Sequence, residues 1–293
     1  MKARKRFGQH FLEPVWARKL VEAIQPAPTD TFLEIGPGRG ALTRPLAESG
    51  ARIVAVEIDR DLAAGLAADA PPNVTLVTGD FLELDVLPIL LGLMPQEPAR
   101  QAALRSAGPR TPAAGPGARV RVVGNLPYNV SSPILFRLLE LQHERELFID
   151  ATLMLQQEVA DRIAAPPGSR ASGALSIFLQ IEADVTRLLS LPPGAFRPAP
   201  KVRSAVLRLV FRPPAVSIRD TALFQAMVRR LFMGRRKTAL NALRPFAATL
   251  GASAEAALAA AGIRPIRRPE TLQLTELARL AEFFSSARRP SVL

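Results

Sequence analysis

Over the first two-thirds of the chain, hydrophobic positions come in short, nearly unbroken blocks separated by amphipathic stretches. The blocks are TFLEIG (31–36), ARIVAVEID (51–59), NVTLVTGD (73–80), RVRVVGN (119–125) and DATLMLQ (150–156). Between them lie ALTRPLAESG, RDLAAGLAADA, SPILFRLLELQ and QQEVADRIA, in which apolar residues recur at helical spacing. Apolar strands alternating with amphipathic helices predict an α/β fold, a parallel sheet covered on both faces. Two further strand patterns, DVTRLLSL and VRSAVLRLVF, flank the Pro-rich turn PPGAFRPAPK and predict an antiparallel, hairpin-like end to the sheet.

From about Ser217 the strand signal stops. TALFQAMVRRLFMGRRKTALNALRPF, ASAEAALAAAG and TLQLTELARLAEFFSSA carry helical periodicity only. The pattern therefore predicts three parts: an arm over 1–20, a sheet domain over 21–213 and a smaller all-helical domain over 217–293. The Ala-, Pro- and Gly-rich stretch from about 96 to 117 reads as a mobile insertion in the sheet domain.

Charge sharpens this division. The chain has 293 residues and a net charge of +12. Residues 1–20 carry +5, residues 218–293 carry +8, and the middle is close to neutral. Basic ends around a neutral middle are the electrostatic footprint of a nucleic-acid partner. There is no cysteine and there are two histidines, His10 and His143, which argues against disulfides and a zinc centre. The longest apolar run, near Val86 to Met94, is too short to span a bilayer and contains Pro88. A cytoplasmic protein without a metal or membrane partner is expected.

Glu34-Ile35-Gly36-Pro37-Gly38-Arg39-Gly40 follows one strand and opens a helix, where glycines allow a sharp turn and close approach of a ligand. Glu57 ends the next strand, where an acid can accept from ribose hydroxyls, and Asp80 ends the third, where it can accept from an adenine amino group. The G-x-G-x-G spacing differs from the dinucleotide pattern, and Glu34 beside the loop would repel a pyrophosphate. No Walker lysine is present. A pocket with Glu34, Glu57 and Asp80 suits a cationic sulfonium, S-adenosylmethionine.

Asn125-Leu126-Pro127-Tyr128 follows the fourth strand, expected beside the first at the switch point of the sheet. An exocyclic amine is a poor nucleophile because its lone pair is delocalised. Two acceptors, the Asn125 side-chain oxygen and the Leu126 carbonyl, would localise that pair. Pro127 holds the turn and adds no donor. Tyr128 offers a face to an unstacked base, worth roughly 1–3 kcal/mol. The chemistry is in-line methyl transfer driven by positioning and electrostatics.

With these motifs the chain resembles the rRNA adenine N(6),N(6)-dimethyltransferase family, in particular its KsgA type. RKRFGQHFL (4–12), EIGPGRGALT, VAVEID, TGDFL, GNLPYNVSSP, LMLQQEVADRI and FRPAPKVRSAVLRL (196–209) occur in the family order. The resemblance implies a Rossmann-like methyltransferase sheet and a helical RNA-binding domain. It implies that S-adenosylmethionine is held by Gln9, His10, Leu12, Glu34, Gly36, Gly38, Glu57, Ile58, Asp80, Phe81 and Asn125. It implies catalysis by Asn125, Leu126, Pro127 and Tyr128, with Phe196 as a second aromatic sandwiching the adenine. The implied reaction is dimethylation of two adjacent adenines near the 3′ end of 16S rRNA in the small ribosomal subunit, by a monomer. Arg4, Lys5, Arg6, Lys201, Arg235, Arg236 and Lys237 are candidate phosphate contacts. Arg203, His10 and the long 96–117 segment depart from the usual pattern. Large-subunit rRNA as substrate, or a non-catalytic RNA-binding role, are the alternatives.

Overall fold

The computed structural model describes residues 9–93, 120–234 and 236–287. The candidate insertion at 96–117 and the candidate contacts Arg4, Lys5, Arg6 and Arg235 lie outside the described residues.

The apolar blocks of the sheet centre form strands because each is buried on both faces. Thr31–Ile35 (β2), Arg52–Glu57 (β3), Val74–Thr78 (β4) and Val120–Asn125 (β5) are followed by Phe148–Gln156 (β6). Ala183–Leu191 (β7) and Ser204–Phe211 (β9) complete a seven-stranded sheet of order β4-β3-β2-β5-β6-β9-β7. β2 to β6 pair in parallel, and β9 runs antiparallel to β6. Phe32, Leu33, Val54 and Val122 in the central strands are fully buried. A short separate strand, Phe11–Leu12 (β1), pairs antiparallel with Phe196–Arg197 (β8).

The chain runs from β2 outward through β3 to β4, then returns to lay β5 on the other side of β2. That reversal is a topological switch point, and the crevice above it is where such sheets receive ligands. Helices Pro14–Ile24 (α1), Thr43–Glu48 (α2), Arg60–Ala67 (α3), Leu87–Leu93 (α4) and Ser131–Arg145 (α5) accompany these strands. α3 begins where the Asp59 side chain accepts from the Asp61 N–H at 3.1 Å. Gln157–Ala164 (α6) follows β6.

One helix, Ala174–Glu182 (α7), has no counterpart in the periodicity. Its residues Ile177, Phe178, Leu179 and Ile181 are buried nearly all round, so no polar face marks a 3.6 period. The signal that exists is local: the Gly173 N–H donates to Ser176 Oγ at 2.8 Å, an N-terminal cap.

The residues group into two compact units. One comprises the chain up to Ala160 with Thr186–Phe211, the other Asp161–Val185 with the chain from Arg212 onward. The second unit holds the C-terminal helices Thr221–Met233 (α8), Ala239–Thr249 (α9), Ala254–Ala260 (α10) and Leu274–Ala287 (α11). It also takes in 161–185, which the strand pattern placed with the sheet. The reason is α7: Phe178 meets Phe224 of α8 edge-on at 6.2 Å, and Arg212 Nη1 and Nη2 donate to the Ile181 and Gln180 carbonyls. α8, α9 and α10 start on the caps Asp220, Thr238 and Ser253.

The first unit has a buried ionic centre. Arg121 on β5 donates to both carboxylate oxygens of Asp150 on β6 at 3.1 and 3.0 Å, to Asp30 at 2.8 Å and to the Ile24 carbonyl at 2.8 Å. Asp150 also receives Arg208 of β9 at 2.9 and 2.6 Å. These bonds join the end of α1 to three strands. Removing one partner leaves an uncompensated buried charge, which costs about 3–5 kcal/mol. Asp150→Ala is therefore expected to lower unfolding free energy by about that amount, read from the midpoint of a urea titration.

Candidate active site

A cavity of about 300 Å³ opens above the switch point. Its walls come from the segment 9–12, the loop after β2, the ends of β3 and β4, and the turn after β5. Gln9, His10, Leu12, Glu34, Gly36, Gly38, Glu57, Ile58, Asp80, Phe81 and Asn125 to Tyr128 all line it. The sequence separates these residues by more than a hundred positions; parallel pairing of β2 with β3 and β5 brings them to one rim.

The glycine loop is held by hydrogen bonds as well as by its dihedral angles. Gly36 and Gly38 have φ of +69° and +59°, conformations that L side chains rarely adopt. No atom lies within 4 Å of where a Gly36 Cβ would stand, so a ligand can approach the backbone there. Glu57 Oε2 accepts from the Gly38 N–H and its Oε1 from the Asp59 N–H, both at 2.9 Å. The carboxylate as a whole retains acceptor capacity for a ligand hydroxyl. Burial raises the Glu57 carboxyl above the usual range, against the pull of those backbone donors. Asp80 Oδ1 accepts from the Leu82 N–H at 2.9 Å. Phe81 is buried, while Ile58 is an exposed apolar residue at the end of β3. An apolar pair flanked by acids is a fitting seat for an adenosyl group.

Glu34 is the unusual acid. It lies in β2 between Ala55 and Val123 of the neighbouring strands and is 2% exposed. Its Oε2 is buried without a hydrogen-bond partner. Desolvation, reinforced by the charge of Glu57, pushes its pKa up to about 7, although the Thr43 side chain pulls the other way. A cationic ligand supplies what this carboxyl lacks. Gly loop, orphaned carboxylate and apolar flanks together fit a sulfonium cofactor. Among the described residues no cluster of three His, Asp or Glu is arranged to hold a metal ion.

The Asn125 turn is fixed by the N-terminal segment. Asn125 Nδ2 donates to the His10 carbonyl at 2.7 Å, which leaves Oδ1 as the free end of the amide. The Leu126 side chain is buried and its N–H donates to the Met154 carbonyl at 3.2 Å. The Pro127 carbonyl closes the turn by accepting from the Val130 N–H. Tyr128 is half-buried, its hydroxyl shares a hydrogen bond of 2.7 Å with Ser204 Oγ, and its ring stacks on His10. Gln9 Nε2 donates to Asp59 at 3.1 Å, and Phe11 lies against Gly38 beneath the Arg39 guanidinium, 4.2 Å from the ring centre.

Phe196, which the resemblance assigns to the target base, has a fully buried ring and does not line the cavity. It pairs with Leu12 across β1 and β8 and packs in the core with Leu191, Met154 and Val206. An aromatic on a strand that clips the N-terminal segment down is more stable in that core than at an open rim. Lys201, Arg203, Arg236 and Lys237 are exposed or half-exposed. Sequence reasoning missed Ser204 and Asp59, the partners of Tyr128 and Gln9. Asp59 carried a signal, as an N-cap beginning a helix; Ser204, the first residue of β9, carried none.

A Rossmann-like sheet, a G-x-G-x-G loop with acids at two following strand ends, and an Asn-Leu-Pro-Tyr turn define a methyltransferase that uses S-adenosylmethionine. A family model described as "Ribosomal RNA adenine dimethylase" matches residues 1–284, and the chain belongs to that family. It is 45% identical over 282 residues to "Ribosomal RNA small subunit methyltransferase A" of Anaeromyxobacter dehalogenans strain 2CP-C, covering 96% of this chain and 93% of that one. Among solved structures, a dimethyladenosine transferase from Plasmodium falciparum superposes with a TM-score of 0.68 at 21% identity, covering 95% and 98% of the two chains. The 23S rRNA methyltransferase ErmE gives 0.58 at 25%, covering 94% and 99%. The protein is an rRNA adenine dimethyltransferase, and S-adenosylmethionine is its cofactor.

Because Glu34 is neutral below about pH 7, taking up a cation there requires it to lose a proton. Cofactor affinity is expected to rise with pH, by up to about tenfold per unit below 7, and to level above it. Glu34→Gln should flatten that profile between about pH 6 and 8, with weaker binding at the upper end; titration calorimetry measures both.

Proposed function

We propose that this enzyme dimethylates two adjacent adenines near the 3′ end of 16S rRNA in the small ribosomal subunit, and that Asn125, Leu126, Pro127 and Tyr128 carry the transfer. The observation that bears most on this is the 2.7 Å bond from Asn125 Nδ2 to the His10 carbonyl. It fixes the amide so that Oδ1 is available to the incoming amine. When bound, S-adenosylmethionine supplies an electrophilic methyl group on its sulfonium.

Asn125 Oδ1 and the Leu126 carbonyl accept the two hydrogens of the adenine amine and draw its lone pair out of the ring. Pro127 keeps that pair of acceptors in register. Tyr128 holds the base by its face, with its own hydroxyl committed to Ser204. The amine proton leaves to solvent after the carbon–nitrogen bond forms, so the turn needs no general base. The second methylation repeats the geometry with one acceptor engaged by the remaining hydrogen. Such positioning and preorganised acceptors are the main sources of rate in this chemistry.

Small-subunit rRNA is favoured over large-subunit rRNA by the degree of likeness. The relative named for the small subunit is 45% identical across nearly the whole chain, whereas the 23S enzyme is 25% identical. The helical domain at 217–293, with its excess of Arg and Lys, is the natural RNA-binding element, helped by the arm at 1–20 and by Lys201. A ribosomal substrate calls for a cytoplasmic enzyme, and one complete cavity within a single chain is in keeping with a monomer. Among the described residues no helix is long and apolar enough to cross a membrane.

Labelled S-adenosylmethionine with unmodified small-subunit and large-subunit particles tests the substrate. Label is expected in two adjacent adenines near the 3′ end; label only in large-subunit rRNA would refute the proposal. Asn125→Ala is expected to lower kcat, measured at saturating S-adenosylmethionine, by at least about a hundredfold. Arg236→Ala with Lys237→Ala should reduce the slope of log Kobs for rRNA against log salt by about one per lost contact; an unchanged slope removes these residues from the interface.

A further inference from the structure

S-adenosylmethionine brings both signs of charge into the cavity. Its sulfonium and ammonium are positive, and the carboxylate of its methionine tail is negative. Glu34, Glu57 and Asp80 suit the two cations and oppose the anion. A glycine loop often meets an anion with its backbone donors. Here the Gly36, Gly38 and Gly40 N–H groups are committed to the Val56 carbonyl, Glu57 Oε2 and the Pro37 carbonyl, each at 2.9 Å. Among the described residues a single Lys or Arg side chain lines the cavity, that of Arg39.

We propose that Arg39 holds the carboxylate of the methionine tail and so selects the intact cofactor. This rests on the reading that the adenosyl group sits by Ile58 and Phe81 with its ribose at Glu57.

The placement of Arg39 supports it first. Glu57, the ribose acceptor, is bonded to the Gly38 N–H, so a tail leaving the ribose sets out beside residue 39. Ile58 and Phe81 stand beyond the ends of β3 and β4, and the tail runs the other way, over the loop after β2 toward residues 9–12.

The loop also fixes the base of the side chain. The Gly40 bond to Pro37 closes the turn that carries Arg39, and a Cβ on Gly40 would stand 2.6 Å from Leu66 Cδ1, so the turn is packed against α3. Farther out, the guanidinium lies over the Phe11 ring, 4.2 Å from its centre. A ring engages the face of a guanidinium, whereas a carboxylate pairs with its edge, so the two contacts are compatible. Phe11 belongs to β1, and the cation is thereby steadied by the same clip that closes the cavity.

The chemical consequence is a second criterion for the ligand. Glu34 responds to a sulfonium, and a decarboxylated sulfonium with the same adenosyl and methyl groups would satisfy it equally. Arg39 separates the two. Because Arg39 is exposed, solvent screens the pair and the gain is about fivefold in affinity.

The test is calorimetry on the full-length chain at about pH 8, where Glu34 is ionised, with S-adenosylmethionine and decarboxylated S-adenosylmethionine as ligands. Arg39→Met keeps an apolar chain over Phe11 and removes the charge; Arg39→Glu reverses it. Thermal melts establish that each variant is folded. Arg39→Met is expected to weaken S-adenosylmethionine about fivefold and not to weaken the decarboxylated ligand. Arg39→Glu should weaken S-adenosylmethionine further and tighten the decarboxylated dication.

Equal weakening of both ligands by Arg39→Met would overturn the proposal, since Arg39 would then act through Phe11 and the clip. Unchanged affinity for both would overturn it too; a smaller salt slope for rRNA binding in that variant would make Arg39 a phosphate contact instead. A glutamate variant that binds S-adenosylmethionine no worse than the methionine variant would also refute a charge contact. Asp80→Ala, run alongside, removes the adenine acceptor common to both ligands and should weaken both. If it weakens neither, the adenosyl seat is misread and the course given to the tail falls with it, whereas failure at Arg39 alone leaves that seat standing.

Discussion

The parallel pairing of β5 beside β2 is the constraint on which the rest of this structure depends. It is the point where the sheet changes direction of growth, and it sets the Asn125 turn beside the loop that follows β2. Neither segment can make a site alone. The glycine loop presents backbone and an acid without a reactive partner. The Asn-Leu-Pro-Tyr turn presents acceptors and a ring without an electrophile. Their adjacency is secured below by the buried Arg121–Asp150 pair, which ties β5 to β6 and to the end of α1. A charge centre buried at the base of the sheet is thereby linked to the alignment of the cavity rim at its top.

The rim is closed by a segment far away in sequence. Residues 9–12 reach Asp59, Gly38, Asn125 and Tyr128, and are clipped in place by pairing of Phe11–Leu12 with Phe196–Arg197. The burial of Phe196 acquires its meaning here. Its ring anchors the clip in the core, and the clip in turn holds His10 against Tyr128. The same economy applies to Glu57, whose two oxygens fasten the glycine loop and the start of α3 while the carboxylate keeps acceptor capacity for a ligand.

Glu34 shows why a polar residue can sit at the centre of such a sheet. Between Ala55 and Val123, with an oxygen that has no partner, it is a poor group for stability and a good one for recognising a cation. The cost falls on the ligand-free protein, and the benefit appears only when positive charge enters the cavity. This distribution favours a sulfonium over its neutral thioether product for elementary electrostatic reasons.

Much of this was legible in the linear chain. Continuous apolar blocks showed the central parallel strands, because burial on both faces leaves no polar alternation to confuse them. Glu34, Gly36, Gly38, Glu57, Asp80, Asn125 and Tyr128 announced themselves by standing at or near strand ends, where a polar or flexible residue needs a reason. Other features had no such signature. α7 was hidden because it is apolar nearly all round, and its packing against α8 draws residues 161–185 into the helical unit. The partnership of Tyr128 with Ser204 and the contact of His10 with Asn125 join residues 76 and 115 positions apart, and no local pattern encodes them. Phe196 went to the core because strand pairing fixes which way a side chain points, and composition does not. The order of residues alone set the elements and the chemical groups at their ends. Which of those groups face one another was chosen only on folding, since side-chain direction and long-range pairing are settled when the whole sheet closes.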